Sequence, residues 1–177
     1  MTEKKMKKAA LLAAITIAMA ALTAETLPNG QNAPVLKITN DEEGNKDAVL
    51  AQPFAIETKY GNLTAPATST VTFYENGNVK SMQLEGSQEI ETEAGKFAVN
   101  TRAEFYESGI IKLTFLEGTQ QLETKAGTFN IAATPSSGAA LAKDKPLIFH
   151  ENGTVTSAYL YGSSAPGERT ATAKTPD

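Results

Sequence analysis

Hydrophobic and polar residues alternate in short segments along most of the chain, and turn-forming residues separate these segments. In RAEFY, residues 102–106, the apolar Ala103 and Phe105 alternate with charged or polar neighbours. Alternation with a period of two is typical of a β-strand that buries one face. The pattern predicts an all-β protein built from antiparallel hairpins, arranged as a meander or open roll.

One hairpin pattern occurs three times. The copies read FYENGNVKSMQLEG (73–86), FYESGIIKLTFLEG (105–118) and FHENGTVTSAYLYG (149–162). Asn76-Gly77 in the first copy is typical of a two-residue type I′ turn, in which both central residues take positive φ. Two apolar positions that match across the copies, Val79 and Leu84 in the first, are five residues apart. An odd separation places them on opposite faces of a regular strand, so a β-bulge is expected between them.

A second pattern precedes each hairpin and defines the repeat. It reads IETKYGNL (56–63), IETEAGKF (90–97) and LETKAGTF (122–129). Together the two patterns predict three stacked units of about 32 residues each. Their expected bounds are 51–86, 87–118 and 119–162, and the third unit carries a loop-like insertion at 136–146. One unit holds too few large apolar side chains to fold alone, so stacking explains the repetition.

The two ends of the chain lack a strand pattern. Residues 1–24 begin with lysines and continue into the apolar stretch Ala9–Leu22. That order predicts a helical secretory signal peptide, cleaved near residue 20 or 24. Residues 25–34 and 163–177 are rich in small and turn-forming residues and are predicted to be a linker and a disordered tail. The β-repeat domain is therefore expected at 35–162.

Charge and cysteine content narrow the compartment and the partners. The whole chain has a net charge of −4 and no cysteine. Removing the signal peptide also removes four lysines and makes the chain more acidic, which disfavours nucleic acid as a partner. Without cysteine there is no disulfide, no thiol chemistry and no site for a lipid anchor. We expect a soluble extracytoplasmic protein, periplasmic or secreted, with no membrane insertion after signal removal and with a protein or envelope component as partner.

The recurring F-[YH]-E-[NS]-G-x-[VI] hairpin resembles bacterial exported repeat proteins with Y-E-N-G or Y-E-S-G units, which are loosely MORN-like. The resemblance covers the three hairpins. It implies a stacked antiparallel β-array with a scaffolding or binding role, and it implies no catalytic residue.

An aromatic row is the first candidate binding surface. His150, the one histidine, matches Tyr74 and Tyr106 in the other two copies. Because tyrosine occupies this position twice, we interpret His150 as an aromatic surface residue rather than a general base or metal ligand. Exposed aromatic rows bind sugars or proteins, although cross-strand packing also explains such a row.

The repeated glutamates beside the turns, Glu75, Glu107 and Glu151, form a second candidate row. The preferred hypothesis is an exported, non-catalytic β-repeat protein in which these residues belong to a binding surface. The alternative is a carbohydrate-active or other hydrolase module, because glycoside hydrolysis uses paired carboxylates. Weak calcium binding is a third hypothesis. The acidic stretch 40–47 does not match an EF-hand loop and is expected to connect two strands. No catalytic residue, cofactor or metal ligand is predicted.

Overall fold

The computed structural model describes residues 24–124, 127–132 and 145–158. Within these residues the chain forms fourteen β-strands and no helix. The strands are Ala24–Thr26 (β1), Asn32–Asn40 (β2), Lys46–Leu50 (β3), Phe54–Thr58 (β4), Gly61–Ala65 (β5), Thr70–Phe73 (β6), Val79–Gln83 (β7), Gln88–Thr92 (β8), Gly95–Phe105 (β9), Ile111–Leu116 (β10), Thr119–Thr124 (β11), Gly127–Ala132 (β12), Leu147–Phe149 (β13) and Val155–Ser157 (β14). The all-β prediction is confirmed. The predicted signal peptide, 1–24, lies outside the described residues except for Ala24, which begins β1. The tail 163–177 and most of the insertion 136–146 also lie outside them.

Ten of the strands form one open antiparallel sheet. Its order is β1-β2-β3-β6-β7-β9-β10-β13-β14, and β8 pairs with the beginning of β9. The remaining strands form two separate hairpins, β4–β5 and β11–β12. The strands of the main sheet thus follow one another in sequence order, with the separate hairpins left out of the row, which is the meander that hairpin repeats predict.

The strands fall into four units, one more than the sequence predicts. We define unit 1 as β1–β3, unit 2 as β4–β7, unit 3 as β8–β10 and unit 4 as β11–β14. Each unit begins with a short cover hairpin: β1 with the start of β2, β4–β5, β8 with the start of β9, and β11–β12. Two strands of the main sheet follow, joined by a five-residue sheet turn. The sheet turns are 41–45, 74–78, 106–110 and 150–154.

The linker predicted at 25–34 is wrong, because these residues form the cover hairpin of unit 1. Ala24 to Thr26 pair with Asn32 to Pro34. Leu27 is 2% exposed and Ala33 is fully buried, so the segment contributes apolar surface to the core. The amino-acid composition suggested a linker because only these two side chains of the segment are buried. Two apolar residues among ten do not form a recognisable strand pattern.

The sheet turns differ from the predicted type I′ geometry. In the first copy, Gly77 donates to the Tyr74 carbonyl (3.0 Å) and Tyr74 donates to the Asn78 carbonyl (2.8 Å). Gly77 has φ +87°, whereas Asn76 is not among the residues with positive φ. This is a three-residue loop, a type I turn followed by a left-handed glycine. The third loop residue, and not the central pair, therefore requires glycine.

The predicted bulge is confirmed in all three hairpins. Phe73 pairs with Val79 and Thr72 pairs with Ser81, so Lys80 is the extra residue on β7. The same shift occurs after Ile111 and after Val155. One extra residue returns the next apolar positions to the buried face. Val79 and Leu84 are accordingly both buried, at 5% and 6% exposed.

The core lies between the main sheet and the cover hairpins, which are displaced by one unit. Tyr60, in the cover hairpin of unit 2, lies 6.4 Å from Phe105 of unit 3 between ring centroids. Phe97, in the cover hairpin of unit 3, lies 6.3 Å from Phe149 of unit 4. The cover hairpins of units 2 and 3 therefore pack on the sheet strands of the following unit, and this displacement ties neighbouring units into one core. Of the large apolar residues in the predicted repeats, the following are among those buried: Phe73, Val79, Leu84, Phe97, Val99, Phe105, Ile111, Leu116, Ile131, Phe149 and Val155. Phe129 is half-buried, and Leu160 lies outside the described residues.

Candidate functional site

The aromatic row is a set of contacts between units. The Tyr74 hydroxyl donates to the Phe105 carbonyl of unit 3, and the Tyr106 hydroxyl donates to the Phe149 carbonyl of unit 4, each at 2.9 Å. Both tyrosines are half-buried, and burial raises the pKa of Tyr74. His150 is exposed. The two tyrosine hydroxyls of the row are thus already bonded to main-chain groups, and the binding role of the row stays a prediction.

Replacing Tyr106 by Phe is expected to lower the free energy of unfolding by about 1 kcal/mol, because the Phe149 carbonyl loses its side-chain donor. Urea unfolding followed by circular dichroism measures this. Glu107→Gln is the matched control in the same turn, because Glu107 is exposed and surface substitutions of this kind change stability by about 0.5 kcal/mol or less. Equal stabilities of Y106F and E107Q would contradict the assigned role of the hydroxyl.

The glutamates of the second candidate row all occupy the first loop position of a sheet turn. Glu75, Glu107 and Glu151 are exposed. Their side chains stand on three successive turns along one edge of the sheet. Among the described residues, no group of three or more acidic or histidine side chains is placed to hold a metal ion. The hydrolase and calcium hypotheses stay predictions.

The acidic stretch predicted to connect two strands is confirmed as the sheet turn between β2 and β3. The Asp41 carboxylate accepts from the main-chain N–H groups of Glu43 and Asn45, at 2.9 and 2.8 Å, and from the Asn45 side chain. The hydrogen bond from the Asn45 side chain is the main reason that the pKa of Asp41 is lowered. Glu43 pairs with Lys80 of unit 2 at 3.0 Å, which lowers the pKa of Glu43. These carboxylates therefore stabilise the turn and its contact with unit 2.

Two glutamines that sequence reasoning missed also join the units. Gln88 of unit 3 accepts from the Thr64 N–H (2.6 Å) and donates to the Thr64 carbonyl (2.7 Å) of unit 2. Gln120 of unit 4 makes the same pair of bonds with Ala98 of unit 3. An amide side chain supplies one acceptor and two donors, so it replaces a strand partner at this point. The signal was present in the sequence, because the two glutamines occupy matching positions of their repeats.

A shallow cleft of about 400 Å³ opens where the turns of units 1, 2 and 3 meet. Its polar lining side chains are Asn29, Glu57, Thr58, Lys59, Asn78 and Ser108. The Asn78 amide donates to the Glu107 carbonyl at 2.8 Å, which fixes one wall against the next unit. On the other wall, Gln31 links Asn29 to the Ala55 carbonyl of unit 2. The cleft thus has hydrogen-bonded walls and carries donors, acceptors and charges of both signs.

The cleft and the aromatic row are separate features of the same edge. Neither Tyr106 nor His150 lines the cleft, and none of the three turn glutamates does. Sequence reasoning missed the cleft because its walls come from three units and depend on the displaced packing of the cover hairpins.

Comparison with known proteins gives no relative. No family model, no curated protein and no solved structure matches the chain. The resemblance to MORN-like repeats stays a prediction carried by the hairpin motif. In the part of the chain that the structure describes, no helix has the length and apolar character needed to cross a membrane.

Proposed function

We propose that the chain is an exported, non-catalytic β-repeat protein that binds a protein or another cell-envelope component at the turn edge of its sheet. The predicted signal peptide supports export, and the acidic charge disfavours nucleic acid as the ligand. The observation that carries the proposal is the polar cleft between units 1, 2 and 3. Its walls are held by hydrogen bonds between units, so a ligand meets a largely preformed surface.

The chemistry of the cleft favours a polar, extended ligand segment. Asn29, Asn78 and Ser108 offer amide and hydroxyl groups, while Glu57 and Lys59 add one charge of each sign. Such a set satisfies the donors and acceptors of a peptide main chain or of a polymer rich in hydroxyl and amide groups. Repeat arrays commonly present binding surfaces of this kind across several units.

Lys59→Glu is expected to abolish capture of the partner from a cell-envelope extract, because it reverses the only lysine charge in the cleft. The matched control is Lys96→Glu, on the equivalent cover hairpin of unit 3, where Lys96 is exposed and makes only surface ion pairs with Glu89 and Glu91. Quantitative mass spectrometry of captured proteins and of released envelope material measures both variants against the unaltered chain. Identical captures by both variants, or capture of nothing by the unaltered chain, would sink the proposal.

A further inference from the structure

Unit 1, at one end of the array of units, has a strand edge and a sheet turn that no other described unit contacts. Residues 35–40 of β2 pair with β3 on one side, and among the described residues no strand occupies the other side. In unit 3 the matching part of β9 pairs on that side with β7 of the preceding unit. The sheet-turn glycine of unit 1 is also uncovered, because nothing described lies within 4 Å of a Cβ built at Gly44. Among the described residues, unit 1 therefore has no preceding unit.

The glycines at the other three sheet turns show what is missing. A Cβ built at Gly77 meets Pro28 of unit 1, one at Gly109 meets Asn78 of unit 2, and one at Gly153 meets Glu93 of unit 3. Each sheet turn after the first is thus approached by the unit before it. Gly44 has the same positive φ, +84°, but no such neighbour in the described residues.

Unit 4, at the opposite end of the array, presents the surface that complements the uncovered edge of unit 1. One edge of β14 pairs with no described strand, and it corresponds to the edge of β7 that pairs with β9. His150 and Asn152 stand where Tyr74 and Asn76 stand in unit 2, and those two side chains donate to the Phe105 and Glu107 carbonyls of unit 3. Among the described residues, neither the His150 ring nor the Asn152 amide nitrogen has an acceptor. The cover hairpin β11–β12 likewise has no following sheet turn in the described chain.

We propose that these two surfaces bind each other, so that unit 4 of one molecule docks onto unit 1 of a second copy. The internal register transfers directly: Ser157 pairs with Thr39 and Ala158 pairs with Ile38 of the second copy. In the same arrangement His150 faces the Asn40 carbonyl of the second copy, and Asn152 donates to its Glu42 carbonyl. The cover hairpin β11–β12 then lies over its turn 41–45. The contact is a continuation of the sheet from molecule to molecule.

The length of the free edges is sufficient for such a contact. The strand pairing at the junction between units 3 and 4 inside the chain also comprises only two paired positions, Leu113 with Ile148 and Thr114 with Leu147. Ser157 and Ala158 offer two positions as well. Leu36, 61% exposed, lies on β2 and is the one large hydrophobic residue exposed in the described chain. Because the two surfaces differ, the contact is head-to-tail and produces a chain or a ring of molecules rather than a closed symmetric pair.

The strand register is tested with two matched variants of the full chain. Both carry Thr39→Lys, and they differ only in Ser157→Lys or Ser157→Asp. Like charges directly opposite each other weaken a strand pair and opposite charges strengthen it. In sedimentation velocity across a concentration series, the lysine variant should self-associate about tenfold more weakly than the aspartate variant. Inside the chain position 157 faces Ile148, so the two variants should have similar melting temperatures.

A second variant tests the docked side chain. His150→Tyr places the hydroxyl that Tyr74 and Tyr106 use, and it should strengthen self-association about 2- to 10-fold, whereas Glu151→Gln in the same turn should not change it. A chain that stays monomeric at every concentration overturns the proposal. Equal self-association of the two charge variants also overturns it, because another surface would then be in use. The proposal does not depend on the cleft, and loss of partner capture leaves it standing.

Discussion

Replacing Phe105 by Ala is expected to lower the free energy of unfolding by about 3 to 5 kcal/mol, the cost of removing a large aromatic side chain from a packed core. Phe105 is 2% exposed and lies at the centre of the array. Its ring packs against Tyr60 of the preceding unit, and its carbonyl accepts the Tyr74 hydroxyl. The substitution therefore leaves a cavity between units 2 and 3 and weakens their junction. In a repeat array, stability is the sum of such neighbour contacts, so a central defect is costly.

Asn40→Ala is the matched control for Phe105→Ala, because Asn40 occupies the equivalent position at the end of β2 in unit 1. Asn40 is exposed, and its replacement should change the free energy of unfolding by about 0.5 kcal/mol or less. Urea titrations of both variants, followed by circular dichroism, give the comparison. A difference of less than about 1 kcal/mol between them would show that Phe105 does not tie the two units together.

The sequence predicts units 2 to 4 well because their strongest features are local. The Glu-x-Gly turns, the alternating strands and the odd spacing between Val79 and Leu84 each follow from a few neighbouring residues. The bulge was predictable because a buried face must be continuous. The turn type was not, since Asn-Gly favours a two-residue turn, whereas the Glu75 position in front of it allows a three-residue loop.

Unit 1 escaped prediction because its turn residues differ from those of the other three units. Asn40 and Asp41 stand where the other hairpins have Phe and Tyr or His, so the motif is not recognised. Terminal repeats are commonly atypical, because one of their faces meets solvent. The signal that remained was the spacing of Glu42 and Gly44, which matches Glu75 and Gly77.

The cleft and the exposed edges of units 1 and 4 could not be predicted from the sequence, for a different reason. Both depend on the one-unit displacement between a cover hairpin and the sheet turn beneath it. Tyr60 packs on Phe105, which is 45 positions away in the printed sequence, and no local pattern encodes that distance. The repeat shows that units stack, but the offset at which they stack is set by side-chain packing.

Gly77→Ala is the second substitution with a large expected effect. Gly77 has φ +87°, and an alanine in this region costs about 1 to 2 kcal/mol in any setting. A Cβ at this position would also lie 2.6 Å from the Pro28 carbonyl oxygen, in the cover hairpin of unit 1. Either the sheet turn or the hairpin must shift, which adds about 1 to 3 kcal/mol.

The account rests on residues 24–34 being folded over unit 2, and the comparison of Gly77→Ala with Gly44→Ala tests this most directly. Gly44 has nearly the same φ, +84°, but no described atom lies within 4 Å of a Cβ added there. The backbone strain is therefore shared, and the contact with Pro28 is not. We expect Gly77→Ala to lower the free energy of unfolding by at least about 1 kcal/mol more than Gly44→Ala does. Equal losses for the two variants would contradict the existence of unit 1 as a folded unit and the packing of its cover hairpin on unit 2.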